Sequence, residues 1–159
     1  MNTLSTMLLM LDTLLCIPLF HDLEVEQVMM LKPLFEKVNY PPETAIITQG
    51  ATAVYLHLII KGGVAIYYKP YDGPALILTR LHEGDVFGWS AVVGSHFYTS
   101  SIISEIYTET IRIKGSDLLT LIKEHPKTGR DILNRLARSV SPRWENAHEQ
   151  VELLLNSES

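Results

Sequence analysis

Apolar and polar positions along the chain fall into three regimes. At the start, Met7, Leu8, Leu11, Leu14 and Leu15 recur at helical spacing and predict a first helix. Pro18, in Ile17-Pro18-Leu19-Phe20, ends it, because proline disfavours helical geometry at the preceding residue. A second short helix is predicted from Glu24 to about Lys32, capped by Asp22, with Val25, Val28, Met29 and Leu31 on its apolar side. Met7, Met10, Met29 and Met30 read as packing residues rather than as a cofactor box.

From Val38 to Lys114 the pattern changes to short runs rich in Ile, Val, Tyr and Thr. The runs are Ala45–Thr48, Val54–Ile60, Val64–Lys69, Leu76–Leu81, Ile102–Ile106 and Thr110–Lys114. Glycines at 50, 62, 63, 73 and 84 space the turns about eleven residues apart, the rhythm of all-β sandwiches and barrels. Gly62-Gly63 predicts a tight hairpin and Asp72-Gly73 a second one.

The last third returns to helical spacing. Ser116 or Asp117 can cap a short helix that runs to about Glu124 and ends before Pro126. Leu133, Leu136, Val140, Trp144, Ala147, Val151 and Leu154 then form a heptad-like seam. Pro142 lies inside the seam and forces a kink or a restart, with Ser141 placed as a cap for the restart. The seam suggests a homodimer through the last helix, although a helix covering its own barrel would show the same pattern.

Composition narrows the classes. With 47% hydrophobic and 19% charged residues in 159, the chain can bury a core of its own. Mean hydropathy is +0.13, and no run of about 18 apolar residues suggests a membrane span. Asp12 interrupts the Leu8–Leu15 stretch and no basic residue precedes it, so it does not read as a signal peptide. One cysteine, Cys16, excludes an intramolecular disulfide framework and fits a reducing, cytoplasmic setting. The net charge is −5, and no segment is a strong basic patch, so direct nucleic-acid binding by this chain is not expected.

One stretch stands apart: Leu81-His82-Glu83-Gly84-Asp85-Val86-Phe87-Gly88-Trp89-Ser90-Ala91-Val92-Val93. A strand runs into a Gly-Asp turn, then Phe-Gly, then a short helical turn. Gly88 permits close backbone approach, and the amides of residues 89 to 91 would point outward at the start of that turn and favour an anion. Tyr98, Thr99, Ser100 and Ser101 follow, with hydroxyl groups where the next strand begins. Asp85 reads as a residue that bonds backbone in the turn or caps the cassette, not as a base.

The order of motifs is Gln49-Gly50, Tyr55-Leu56-x-Leu58-Ile59-x-x-Gly62, then Gly84-Asp85-x-Phe87-Gly88, with helices on both sides. Over about residues 14 to 141 this order resembles the cyclic-nucleotide-binding domain family. That module occurs in catabolite-activator-type bacterial regulators, in regulatory subunits of cyclic-AMP-dependent kinase and in nucleotide-gated channels. The resemblance implies a mainly β fold, an eight-stranded jelly-roll barrel with two N-terminal helices and a long C-terminal helix. The expected layout is N-terminal helices over 1–35, the jelly roll over 36–114 with a phosphate-binding cassette at 86–99, and C-terminal helices over 115–156. Phe87, Gly88, Trp89, Ser90, Ala91, Tyr98, Thr99 and Ser100 are the expected ligand-binding residues.

The departures from the family pattern carry the functional expectation. The resemblance implies a Glu after Phe-Gly to hold the ribose, but Trp89 stands there. It implies an Arg for the cyclic phosphate, but an ungapped reading places Tyr98 there, and no Arg or Lys occurs from Leu81 to Ile111. A charge-assisted hydrogen bond contributes about 1.5–3 kcal/mol, so each missing anchor lowers affinity by one to two decades. In the bacterial regulators the last helix also offers a Thr-Ser pair to the base, where this chain has Ala147-His148. Glu43 occupies a turn position where the family usually has glycine.

The chain is therefore expected to be a regulatory sensor that binds an unidentified small ligand, not cyclic AMP or cyclic GMP with high affinity, and relays it through its C-terminal helices. A self-filled pocket, making the chain a pseudo-receptor that binds protein, is the alternative; Trp89 could be the plug or stack on a ligand, and Tyr98 reads as a strand-edge residue. No enzyme and no cofactor are expected. A cupin-like metal enzyme would need a His-x-His pair, but His21, His57, His82, His96, His125 and His148 are scattered. No Gly-x-Ser-x-Gly elbow offers a nucleophile.

Overall fold

The computed structural model describes residue 14 and residues 17–93 and 96–139. Leu14 is helical and fully buried. The rest of the predicted first helix, with Met7, Met10 and Cys16, lies outside the described residues, as does the seam from Val140 to Leu154 with Pro142, Ala147 and His148. Ile17 is extended (φ −77°, ψ 123°) and Pro18–Phe20 form one 3-10 turn, so Pro18 interrupts the helix as its chemistry requires.

Helix α1 spans Val25–Leu31. Its cap is Glu24 rather than the expected Asp22: the Glu24 amide donates to Gln27 Oε1 at 3.2 Å in a capping box. Asp22 is taken instead by Arg135, which also pairs with Asp131 and donates to the Leu19 carbonyl. Val28 and Leu31 are buried, but Val25 and Met29 face solvent, because a helix lying on a sheet buries only one stripe.

Eight strands follow: β1 Phe35–Tyr40, β2 Ala45–Ile47, β3 Tyr55–Lys61, β4 Gly63–Tyr68, β5 Leu76–His82, β6 Val86–Phe87, β7 Ser101–Ser104 and β8 Thr108–Lys114. Between β6 and β7 lies the one-turn helix α2, Ser90–Val93; after β8 come α3, Gly115–Glu124, and α4, Pro126–Arg138. The strands form two antiparallel four-stranded sheets, ordered β1-β8-β3-β6 and β2-β7-β4-β5. This is a jelly roll, open as a sandwich rather than closed as a barrel. All six predicted runs overlap strands. The two without a predicted run are β1, an edge strand in which only Phe35 is buried, and β6, whose two residues are too few to show a period.

Gly62-Gly63 does not close a hairpin. β3 and β4 belong to different sheets, and the chain crosses between them there. Only Gly62 has positive φ (111°), and a Cβ on it would lie 2.6 Å from the Tyr107 carbonyl oxygen, so close passage rather than turn type demands the glycine. Asp72-Gly73 does sit in a hairpin, between the paired strands β4 and β5. Glu43 adopts the left-handed conformation (φ 60°), which gives a physical reason for a glycine at that turn.

Two cores result. Ile47, Ile59, Val64, Ile66, Leu81, Phe87, Tyr98 and Ile102 fill the space between the sheets. On the other face of the β1-β8-β3-β6 sheet, Leu56, Leu58, Val86, Ile111 and Ile113 meet Leu14, Phe20, Val28, Leu31, Leu118, Ile132 and Leu136 from the helices. Strand β3 is thus covered on both sides, which explains why Leu56, His57, Leu58 and Ile59 are all buried in succession. Leu136 is 1% exposed, so this part of the C-terminal seam is spent on the chain's own core.

Helix α3 starts at Gly115, before either expected cap, with Lys114 at the cap position. Pro126 opens α4 as its first residue rather than only ending α3. A Cβ on Gly115 would lie 1.9 Å from the Ala91 carbonyl oxygen, a backbone atom that cannot rotate away. Gly115→Ala is expected to destabilise the fold by at least about 1–3 kcal/mol, read as a lower urea midpoint, and an unchanged midpoint would contradict this contact.

Candidate ligand-binding cassette

The turn before the cassette is held by backbone bonds. Gly84 has φ 89°, its amide donates to the Ile59 carbonyl at 2.8 Å, and the His82 amide donates to Asp85 Oδ2 at 2.8 Å. Asp85 therefore holds the turn's backbone, as expected. β6 pairs with β3 only through His57–Phe87 and Leu58–Val86, and the chain then leaves the sheet at Gly88 (φ 83°). A Cβ on Gly88 would lie 2.6 Å from the Tyr55 carbonyl oxygen, so a side chain at this position would drive the cassette off β3.

The departure of the chain at Gly88 leaves Tyr55, which faces Lys114 of β8 on one side, without a neighbouring strand on its β6 side. Tyr98 supplies the partner. Its hydroxyl donates to the Tyr55 carbonyl at 2.7 Å and accepts from the Tyr55 amide at 2.9 Å. Its own backbone is anchored on the turn after β2: the Tyr98 amide donates to the Ala51 carbonyl, and the Gly50 amide donates to the Tyr98 carbonyl, both at 2.9 Å. Tyr98 is 9% exposed and belongs to the core between the sheets, so it is not a strand-edge residue; β7 starts three residues later. Burial raises its phenol pKa, against the hydrogen bonds to the backbone of Tyr55 and Val54.

A recess of about 40 Å³ remains, lined by Ile47, Gly88, Trp89, Ser90, Tyr98, Thr99, Ser100 and Ile102. Six of the expected ligand-binding residues meet here. Phe87 does not: it is buried between the sheets, stacked on the His57 ring at 4.7 Å and 6°. Ala91 does not either, because it faces α3 at Gly115. Its amide donates to the Gly88 carbonyl at 3.1 Å, so it is not among the free donors expected for an anion. Ile47 and Ile102 complete the recess, and no local pattern in the sequence marks them as site residues.

Trp89 is half-buried and packs against the helix-side core while also lining the recess. It is a wall, and the side chain that fills the interior is Tyr98. Ser100 is 5% exposed and its Oγ has no hydrogen-bond partner among the described residues.

Arg112 stands in a row of paired residues, Glu36, Arg112, His57 and Phe87, across four strands. Its guanidinium lies 3.9 Å from the Tyr55 ring centroid and donates twice to Glu36 Oε2 at 3.2 Å. Arg112 is thereby engaged and does not line the recess. His57 is 3% exposed with Nδ1 unpartnered; burial, helped by Arg112, drives its pKa down to about 3. Among the described residues no group of three His, Cys, Asp or Glu could hold a metal ion. No described helix is long and apolar enough to cross a membrane.

Residues 37–125 match the cyclic nucleotide-binding domain family. The chain is 33% identical over 117 residues to the cAMP-activated global transcriptional regulator CRP of Pasteurella multocida, covering 73% of this chain and 54% of that protein. The chain spans about half the length of that relative. A cyclic nucleotide-binding domain from Methylobacillus flagellatus superposes with TM-score 0.72 at 20% identity, covering 92% of this chain and 83% of that one. The regulatory subunit of a cAMP-independent protein kinase A from Trypanosoma cruzi, bound to guanosine, superposes with TM-score 0.71 at 17% identity, covering 94% and 52%. Both structures share the fold.

Two measurements follow from the cassette geometry. Tyr98→Phe strips both Tyr55 backbone groups of their partner and is expected to cost about 1–3 kcal/mol in urea denaturation. For His57, the unfolded chain takes up a proton as pH falls below 6.5, whereas the folded chain resists until about 3. Stability therefore declines across that window, by up to about 1.4 kcal/mol per pH unit from this group. His57→Leu should remove that contribution, so the wild type should lose stability relative to the variant as pH is lowered from 7 to 4.

Proposed function

The chain belongs to the cyclic nucleotide-binding domain family, and from that membership we propose that it is a regulatory module whose cassette is held shut by its own Tyr98. In this reading it does not bind cyclic AMP or cyclic GMP with high affinity. The observation that carries the proposal is the Tyr98 bridge to Tyr55 at the position where the family pattern calls for the phosphate-binding arginine. The recess, about 40 Å³ and open to the surface, has room for a few water molecules.

The relay has a physical basis in the contacts around the cassette. The Val86 amide, one residue before Phe87-Gly88, donates to the Ser139 carbonyl beyond α4 at 3.0 Å. The Gly115 amide donates to the Val54 carbonyl at 2.9 Å, next to the bridged Tyr55, and Gly115 packs on Ala91 of α2. Opening the cassette would disturb the start of α3 and the end of α4 together, which biases the helices between two packings. The output is a surface read by a partner, in keeping with a regulator rather than a catalyst. A homodimer through the last helix is consistent with this output.

A second reading is favoured by Ser100. Its buried, unpartnered Oγ lines the recess and could bind a small uncharged ligand that displaces Tyr98. The guanosine-bound trypanosomal subunit, of like fold, is a cAMP-independent protein with an uncharged nucleoside in place.

Isothermal titration of the intact chain with cyclic AMP, cyclic GMP and guanosine separates these readings. No heat with either cyclic nucleotide at micromolar concentration is expected, and a micromolar Kd for one of them would overturn the proposal. Binding of guanosine alone would select the second reading. Restoring both anchors with Trp89→Glu and Tyr98→Arg should raise cyclic-AMP affinity by about one to two decades per group.

A further inference from the structure

A second concavity lies away from the cassette, between α1 and α3. It encloses about 260 Å³ and is larger than the recess at Tyr98. Met30, Leu34 and Leu121 form an apolar floor, and Asp117, Glu124 and His125 stand at its edge. Among the described residues no lysine or arginine lines it; Lys32, two residues from both Met30 and Leu34, has its Nζ buried. Asp117 and Glu124 are seven residues apart on one helix, so the two carboxylates mark out about 10 Å, or two helical turns.

An apolar floor with two carboxylates along one wall is complementary to a segment with apolar anchors at helical spacing and cationic residues on one flank. We propose that this groove is a docking site for a basic amphipathic helix of a partner protein. A second copy of this chain is a poorer occupant. An isologous contact would set these carboxylates against their own copies, in a chain of net charge −5. The groove is also joined to the cassette, since Asp117 lies two residues beyond Gly115, where α3 packs on α2. The inference goes beyond the reading of the cassette and stands whether or not the cassette takes a ligand.

The test uses the full chain and a fluorescein-labelled fourteen-residue peptide with leucine at helical spacing and lysine elsewhere. Its counterpart carries glutamate in place of lysine. The lysine peptide is expected to bind at least about tenfold more tightly in anisotropy titrations, with affinity falling as salt is raised. The ε-methyl resonance of Met30 should move on binding. Asp117→Lys combined with Glu124→Lys should weaken binding by about tenfold or more while leaving the circular-dichroism spectrum unchanged; Glu124→Lys alone, at an exposed position, serves if the double variant does not fold. Absence of binding, equal binding of both peptides, a static Met30 methyl or insensitivity to charge reversal would each overturn the proposal. So would light scattering that shows a dimer dissociated by Met30→Glu, which would make the groove a contact between copies. A cyclic nucleotide found to bind the cassette would refute the closed cassette without touching these outcomes.

Discussion

The hydroxyl of Tyr98 satisfies two backbone groups of Tyr55 that the short strand β6 leaves without a partner. An unpaired buried amide and carbonyl would each cost on the order of 1–3 kcal/mol, so the bond is strongly constrained. Much of the cassette depends on it. It places an aromatic ring in the core between the sheets, beside a recess of about 40 Å³. On an ungapped reading Tyr98 falls where the family resemblance implies an arginine, and in the proposed function its hydroxyl grips the chain's own backbone instead of an anionic ligand.

That exchange also links the cassette to the helices. Tyr55 is flanked by Val54, whose carbonyl accepts from the Gly115 amide, and Gly115 touches Ala91 of the cassette helix. On the far side, Val86 holds the end of α4 through Ser139, while Arg135 ties α4 to Asp22 and Leu19. These are close contacts between backbone and small residues, which change in discrete steps rather than by gradual deformation. In the proposed function such contacts let the helix surfaces carry the output while the cassette stays shut. The acidic groove between α1 and α3 lies on one of those surfaces.

Much of the fold could be read from local pattern. The strand rhythm, the proline breaks at Pro18 and Pro126, and the turn around Gly84-Asp85 express preferences of a few neighbouring residues, and all of them appear in the molecule. Errors arose where a partner far along the chain decided the outcome. Asp22 has the right chemistry for a cap, but Arg135, 113 residues away, takes it. Gly62-Gly63 has the residues of a hairpin, yet the close passage of Tyr107 and Thr108 requires the glycine for another reason. Phe87 follows the family motif in sequence but faces His57 rather than the recess.

The sequence by itself determined that the chain builds a helix-flanked jelly roll, and that the cassette region from Leu81 to Ile111 holds no cationic side chain. The second is a property of composition; the jelly roll is what the resemblance to the family implies, on a strand rhythm that by itself fits a sandwich or a barrel. Only the tertiary structure decided what stands in the cation's place. The bridge from Tyr98 to Tyr55 joins residues 43 positions apart, and the engagement of Arg112 with Glu36 joins residues 76 apart. The geometry of such bonds follows from how two sheets and four helices pack, and a side chain's type alone does not say which of its partners the fold will bring within reach.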